Sequence, residues 1–152
     1  MELSTEFLLE VKAPVAPARE IGDTPYGRRR VIPITGGTFE GPRLKGRVVP
    51  GGADWQVVRR DGVFEIMALY ELETDDGVLI HVTSRGIRHG PPEVIERLAR
   101  GEDDVDPSLY YFRTHVTLEA PSGPYDWLNH SVYVAAGARY GWGVQLRFYR
   151  VL

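Results

Sequence analysis

Two carboxylates bracket most of the glycine-rich stretch GGTFEGPRLKGRVVPGGADW, residues 36 to 55: Glu40 near its start and Asp54 near its end, the latter next to Trp55. A carboxyl group desolvated against an indole gains proton affinity, which moves it toward the range a general base or acid needs at neutral pH. Tyr70 and His81, further along, are residue types that can donate a proton. Such a set suits abstraction of a proton beside a carbonyl, followed by elimination, isomerisation or ring closure. Six glycines in these twenty positions imply sharp bends or close backbone approaches, either demanding turns or the mouth of a binding site.

No established catalytic motif accompanies these residues. The chain has no P-loop, no GxSxG, no HExxH, and no GxGxxG after a strand, so a nucleotide cofactor is not expected. His81, His115 and His130 could sit on neighbouring strands, but hairpin parity turns only His81 inward, and no metal is expected. Asp103, Asp104 and Asp106 lack the glycine and distal glutamate of a calcium-binding loop. With no cysteine, thiolate chemistry and disulfides are excluded. A net charge of -3 gives no general reason to expect nucleic acid, and Arg28, Arg29 and Arg30 read as a solvated loop flank. The N-terminus MELSTEFLLEVKAP carries acids where a signal peptide would be basic, and no apolar run nears the roughly 20 residues that span a bilayer. A cytoplasmic protein without a membrane partner is the expectation.

The elements that must position these side chains are mostly strands. Period-two alternation dominates, and QVVRRDGVFEIMALYELETDDGVLIHVTSRG holds two Asp-Gly turns, Asp61-Gly62 and Asp76-Gly77, between apolar runs. The pattern predicts strands at 5–12, 31–34, 43–49, 55–59, 63–74, 78–85, 110–119, 127–135 and 142–151, with loops at 13–27, 86–92 and 121–124. One helix is expected in PPEVIERLARG, with proline at its start and Gly101 as its stop. Residues 1–152 then form one all-β domain, an antiparallel up-and-down β-barrel of about eight to nine strands, lipocalin-like or cyclase-like, with one short helix. A barrel of that size is just wide enough for side chains or one small ligand.

Hairpin register sorts side chains between lumen and solvent. If each Asp-Gly forms a two-residue turn, Leu72 pairs with His81 and Tyr70 with Thr83, so Tyr70 and His81 face inward with Phe64, Ile66 and Ala68. The same rule pairs Trp55 with Ala68 and places the indole inside, leaving Asp54 on the other parity or at the rim. In YYFRTHVTLEA, Phe112, Thr114, Val116 and Leu118 share one parity and Arg113, His115, Thr117 and Glu119 the other. Hydrophobicity sends the second set outside, whereas a polar lumen would reverse it; both assignments stay open.

The ordered motifs GGTFEGP, LKGRVVPGGADWQ, YELETDDGVLIHV, FRT and YDWLNHSVYVAAG resemble the bacterial family designated domain of unknown function 3237 over residues 5 to 151. That resemblance implies a small β-barrel and no established activity. Among its recognisable positions Glu40, Asp54, Tyr70, Arg113, Glu119 and Asn129 are polar groups that turns do not explain, and it implies a lumen-facing Arg113 and Glu119. The resulting catalytic candidates are Asp54 or Glu40 as base, Tyr70 or His81 as proton donor, and Arg113 with Asn129 as the polar clamp. The candidate ligand-binding residues are Trp55, His81, Glu119, Trp127 and Asn129. Three functions fit: a cofactor-free lyase, isomerase or cyclase acting on a hydrophobic carbonyl or aromatic compound, a non-catalytic binder of such a ligand, and a structural homodimer with its function at the interface.

Overall fold

Strict alternation of buried and exposed residues builds the wall. In Tyr111–Glu119 every even-numbered residue is buried and every odd-numbered one is exposed, as a strand with one face on a core and one in water requires. A computed structural model describes residues 1–152. Its strands are β1 (Thr5–Pro14), β2 (Arg19–Thr24), β3 (Gly27–Pro33), β4 (Thr38–Glu40), β5 (Lys45–Val48), β6 (Ala53–Val58), β7 (Phe64–Thr74), β8 (Leu79–His89), β9 (Tyr111–Glu119), β10 (Tyr133–Arg139) and β11 (Gly143–Val151). One α-helix, α1 (Pro92–Ala99), and two short 3-10 turns, Pro107–Leu109 and Asp126–His130, complete it. No helix is long and apolar enough to cross a membrane.

All neighbouring strands run antiparallel, and the β7–β8 pairing closes β1, β4, β5, β7, β8, β9, β10 and β11 into an eight-stranded up-and-down barrel. Strands β6, β3 and β2 extend from β7 as an annex. Two strands share the long edge of β7: β6 pairs with its first half and β5 with its last residues. The joint between them is Gly51-Gly52. Gly51 adopts a left-handed φ of 111°, and a Cβ on Gly52 would stand 2.5 Å from the Tyr70 Cβ and 2.6 Å from the Leu69 carbonyl oxygen. Part of the glycine enrichment in residues 36–55 is thus explained by strands that cross too closely for a side chain.

Both Asp-Gly turns differ from expectation by one residue. Arg59 and Val63 are joined by a backbone hydrogen bond across Arg60-Asp61-Gly62, and Thr74 and Val78 across Asp75-Asp76-Gly77. These are three-residue loops whose last residue is a glycine with φ near 85°, the turn-plus-bulge form of a hairpin. Because side chains alternate with period two, a slip of one residue flips a whole strand face. Tyr70 stays inside because parity along β7 is internal to that strand. Its partners change: Glu71, not Leu72, faces His81, and Met67 replaces Ala68 as the residue across from Trp55 in the register set by Asp54–Ala68. His81 and Trp55 therefore lie outside, and Asp54 and Gln56 turn inward.

Other departures are local. The loop expected at 13–27 contains β2, which pairs with β3, and β4 is a further short strand. Strand β8 continues to His89 through a segment read as loop, and residues 127–130 form a 3-10 turn before β10 begins. Helix α1 starts on Pro92 as expected, buries Val94 and Leu98, and is followed by Gly101 at φ 79°.

The barrel has two unlike ends. At one, the ends of β4, β7, β9 and β11 and the starts of β1, β5, β8 and β10 enclose fully buried Leu9, Phe39, Leu72, Ile80, Tyr133 and Phe148, with Leu128 from the 3-10 turn as the plug. At the other, α1 and the chain up to Tyr110 lie between the end of β8 and the start of β9. That lid is anchored by Val94, Leu98 and Val105 in the core and by the Gly141 N–H, which donates to Asp103 Oδ1 at 2.5 Å.

Candidate functional site

Inward residues of β6, β7, β8 and β9 meet beneath the lid around a mostly apolar cavity of about 50 Å³ in the lumen. Ile32, Ile66, Ala68, Phe112 and Leu146 supply its apolar wall, and Asp54, Gln56, Tyr70, Ser84, Arg88 and Thr114 its polar atoms. A second, outer chamber of about 300 Å³ lies between Arg30, Arg88, Arg139 and the α1 residues Ile95, Leu98 and Ala99. Arg88 and Arg139 line both chambers, so the two meet at these side chains.

Asp54 is held by its own neighbourhood. Gln56 Nε2 donates to Asp54 Oδ2 at 2.7 Å, the Met67 N–H donates to Oδ1 at 3.1 Å, and Arg30 Nε donates to Gln56 Oε1 at 2.8 Å. A guanidinium thus orients an amide, and the amide orients the carboxylate. Burial pushes the Asp54 carboxyl above its ordinary range; the two hydrogen bonds and the charges of Arg88 and Arg30 act in the opposite direction without cancelling it.

Tyr70 is 4% exposed, and its hydroxyl has no hydrogen-bond partner. Burial first, and the nearby Asp54 charge second, push this phenol well above its ordinary value, so it stays protonated and keeps its O–H available to donate. Ser84 Oγ donates to Thr114 Oγ1 at 2.8 Å, which leaves the Thr114 hydroxyl proton free for the lumen. Arg88 is 4% exposed, its Nε is without a partner, and its guanidinium lies 4.6 Å from the Phe64 ring centroid and 5.7 Å from that of Phe112. Burial, aided by repulsion from Arg139 and Arg30, lowers its pKa to about 10, which still leaves it charged at neutral pH. Arg139 is also shifted down by burial, and its Nη1 donates to the Tyr140 and Gly143 carbonyls, each at 2.7 Å.

Of the residues singled out from the sequence, Asp54 and Tyr70 come together in this lumen. The others do not. Trp55 is 42% exposed on the outer face of β6. His81 is exposed between Glu71 and Glu119 on the outside of the sheet. Arg113 and Glu119 share the outer face of β9 with His115, and the Arg113 guanidinium reaches only the Phe112 carbonyl and the Tyr111 ring. The polar-lumen alternative for that strand is thereby overturned: the apolar parity faces in. Glu40 is exposed on β4, opposite Glu10 and Lys45, away from Asp54. At the closed end, Trp127 is half-buried under Arg43, whose guanidinium is 3.6 Å from its ring, and Asn129 accepts from the Ala120 N–H and donates to its carbonyl. Those two contacts make Asn129 a bridge between backbone segments.

Arg30, Gln56, Ser84, Arg88, Thr114 and Arg139 were missed as site residues. A signal existed for three of them: Ile80 and Val82 fix the apolar parity of β8, which Ser84 and Arg88 share, and Thr114 shares the parity of Phe112, Val116 and Leu118 on β9. Arg30 was hidden in a basic triplet, which β3 divides by parity: Arg28 and Arg30 line the outer chamber and Arg29 does not.

Comparison with known proteins covers the whole barrel. The family described as "Protein of unknown function (DUF3237)" matches residues 3–151. A conserved protein of unknown function from Rhodopseudomonas palustris is 35% identical, superposes with a TM-score of 0.94, and the match covers 100% of this chain and 99% of that one. A beta-barrel like protein from Acinetobacter baumannii is 44% identical with a TM-score of 0.86, over 100% of this chain and 98% of that one. An enzyme from Penicillium herquei shares the fold at 21% identity and a TM-score of 0.75, over 100% of this chain and 96% of that one.

Proposed function

Since this chain belongs to the DUF3237 family, whose function is unknown, we propose from its lumen that it is a small-molecule-binding barrel performing cofactor-free acid/base chemistry of the lyase, isomerase or cyclase kind on an apolar carbonyl or aromatic compound. One observation carries this reading: a desolvated carboxylate, Asp54, lines an apolar cavity together with a tyrosine hydroxyl that has no partner. Unsatisfied buried polar groups are few in native proteins, and a ligand oxygen is the natural partner for this one.

Asp54 in its ionised form takes a proton from the carbon beside the carbonyl. The C–H electron pair becomes the new C=C bond and the C=O π pair moves onto the carbonyl oxygen, where the Tyr70 O–H donates a hydrogen bond to the developing negative charge. From that enolate, expulsion of a leaving group on the next carbon is an elimination, and return of the proton from Asp54 to a different carbon is an isomerisation. Attack of the enolate carbon on an internal electrophile closes a ring. Gln56 and Arg30 hold the carboxylate's orientation throughout, and the apolar wall excludes water that would compete for the proton.

The test is solvent deuterium exchange into small neutral ketones such as acetophenone and cyclohexanone, followed by NMR on wild type and Asp54→Asn. Exchange that is lost in Asp54→Asn, with ligand binding retained, is the expected result. A ketone that binds in the lumen and never exchanges would instead leave a non-catalytic carrier, which the same cavity serves equally well.

A further inference from the structure

Three guanidiniums, those of Arg30, Arg88 and Arg139, crowd the junction of the inner and outer chambers in a chain whose net charge is -3. Arg30 has Glu20 at 3.9 Å, whereas neither Arg88 nor Arg139 has a carboxylate within ion-pair distance. Like charges brought together and stripped of water are costly, and arginines are almost never buried without a partner. Aromatic faces hold Arg88 in place but cannot neutralise it. Its Nε is aimed at nothing.

We infer that the lumen's ligand is a small monocarboxylate: its carboxylate docks on Arg88, flanked by Arg30 and Arg139, and its apolar arm reaches inward along Ile66 and Ala68 toward Asp54 and Tyr70. This rests on the acid/base reading above and narrows it to carbonyl compounds that carry a carboxylate, such as oxo acids. One carboxylate matches the one guanidinium that is both buried and unpaired, that of Arg88. Arg30 already has Glu20 and Asp54 nearby, and Arg28, which also lines the outer chamber, is exposed to solvent. Geometry agrees, because Arg139 already spends Nη1 on two carbonyls and Arg30 spends its Nε on Gln56, whereas Arg88 makes no hydrogen bond and has the most donors left for two carboxylate oxygens. Bound this way, the carboxylate supplies the missing partner of Arg88, while the outer chamber under Ile95, Leu98 and Ala99 admits substituents on the other side.

The experiment is calorimetric titration of wild type, Arg88→Gln and Arg30→Gln with α-ketoisocaproate, phenylpyruvate, their methyl esters and isoamyl phosphate at one pH and salt concentration. An oxo acid should bind wild type about tenfold or more tightly than its ester, and Arg88→Gln should erase that advantage while leaving the ester's affinity unchanged. Arg30→Gln should reduce it in part, which guards against a folding defect peculiar to Arg88→Gln. Equal affinity for acid and ester would overturn the inference; if that ester binding is abolished by Ala68→Phe, the lumen reading survives it. Tighter, arginine-dependent binding of isoamyl phosphate would overturn the carboxylate in favour of a phosphate ester. Binding of neither oxo acid would also overturn it, and the neutral-ketone exchange assay then decides the acid/base reading separately.

Discussion

The two ends of this barrel are built from the same strands and obey different rules. Along β7 the inward residues run Phe64, Ile66, Ala68, Tyr70, Leu72 and Thr74, and the change of character falls at Tyr70. On one side of it the lumen is filled solid by Leu72, Ile80, Phe39, Tyr133 and Phe148, and even the Tyr133 hydroxyl donates to the Leu128 carbonyl at 3.0 Å. On the other side, small Ala68 and Ala13 leave a void edged by an acid, a phenol and three arginines, of which Tyr70 Oη and Arg88 Nε have no partner. A closed, satisfied end holds the barrel together, and that allows the open end to keep groups that cost stability. Unsatisfied polar atoms confined to one end separate a site from a core.

Substitutions at each end put this contrast to the test. Phe148→Ala at the closed end should lower the unfolding free energy by about 3–5 kcal/mol in urea titrations, because a fully buried aromatic leaves a cavity the wall cannot collapse around. A loss comparable to that of a surface change would erase the distinction between the ends. Gly52→Ala, at the joint that lets β6 pass Tyr70, should cost about 1–3 kcal/mol through the clash with the Tyr70 Cβ and the Leu69 carbonyl. Arg88→Met at the open end should change stability by less than about 1 kcal/mol or raise it, since a thioether relieves both desolvation and repulsion from Arg139 and Arg30. A large loss there would make Arg88 a structural residue.

Asp54 gives a pH signature of definite sign. Its folded-state pKa lies above the ordinary 3.8, so its proton is bound more tightly in the folded chain. Ionising it therefore subtracts stability: the penalty is absent below 3.8 and fully developed above the raised pKa. In melting curves the stability of Asp54→Asn relative to wild type should rise with pH across that window and level off above it. A flat difference would mean a carboxylate that is not desolvated. The smallest effect is expected on the outer wall, where Trp55→Ala and His81→Ala should shift stability by no more than about 0.5 kcal/mol and leave ligand binding unchanged.

Much of the architecture was legible in the alternation. The barrel, the helix from Pro92 and the inward face of β7 follow from apolar residues two apart and from a proline before an apolar stripe, signals that are local and strong. The site was harder, because inside and outside on β6 depend on whether Arg60-Asp61-Gly62 turns the chain in two residues or three. Asp54, Trp55 and Gln56 carry no apolar alternation that could settle the question from within the strand. On β8 the answer was present in Ile80 and Val82, and the turn assumption outweighed it. Arg113 and Glu119 illustrate the opposite case: the parity of Phe112, Val116 and Leu118 already placed them in water.

Residue types and their spacing by themselves determined that the chain forms antiparallel strands, where most of them run, and that Asp54 and Tyr70 are chemically able to work together. Only the tertiary structure decided that they do share a cavity, that Trp55 and His81 do not, and that Arg30, Arg88 and Arg139, distant in the chain, close on one mouth. The physical reason is that strand pairing is a long-range event: hydrophobic alternation specifies each face locally, but one residue of register, set by the hydrogen bonds of a turn, decides which face looks in.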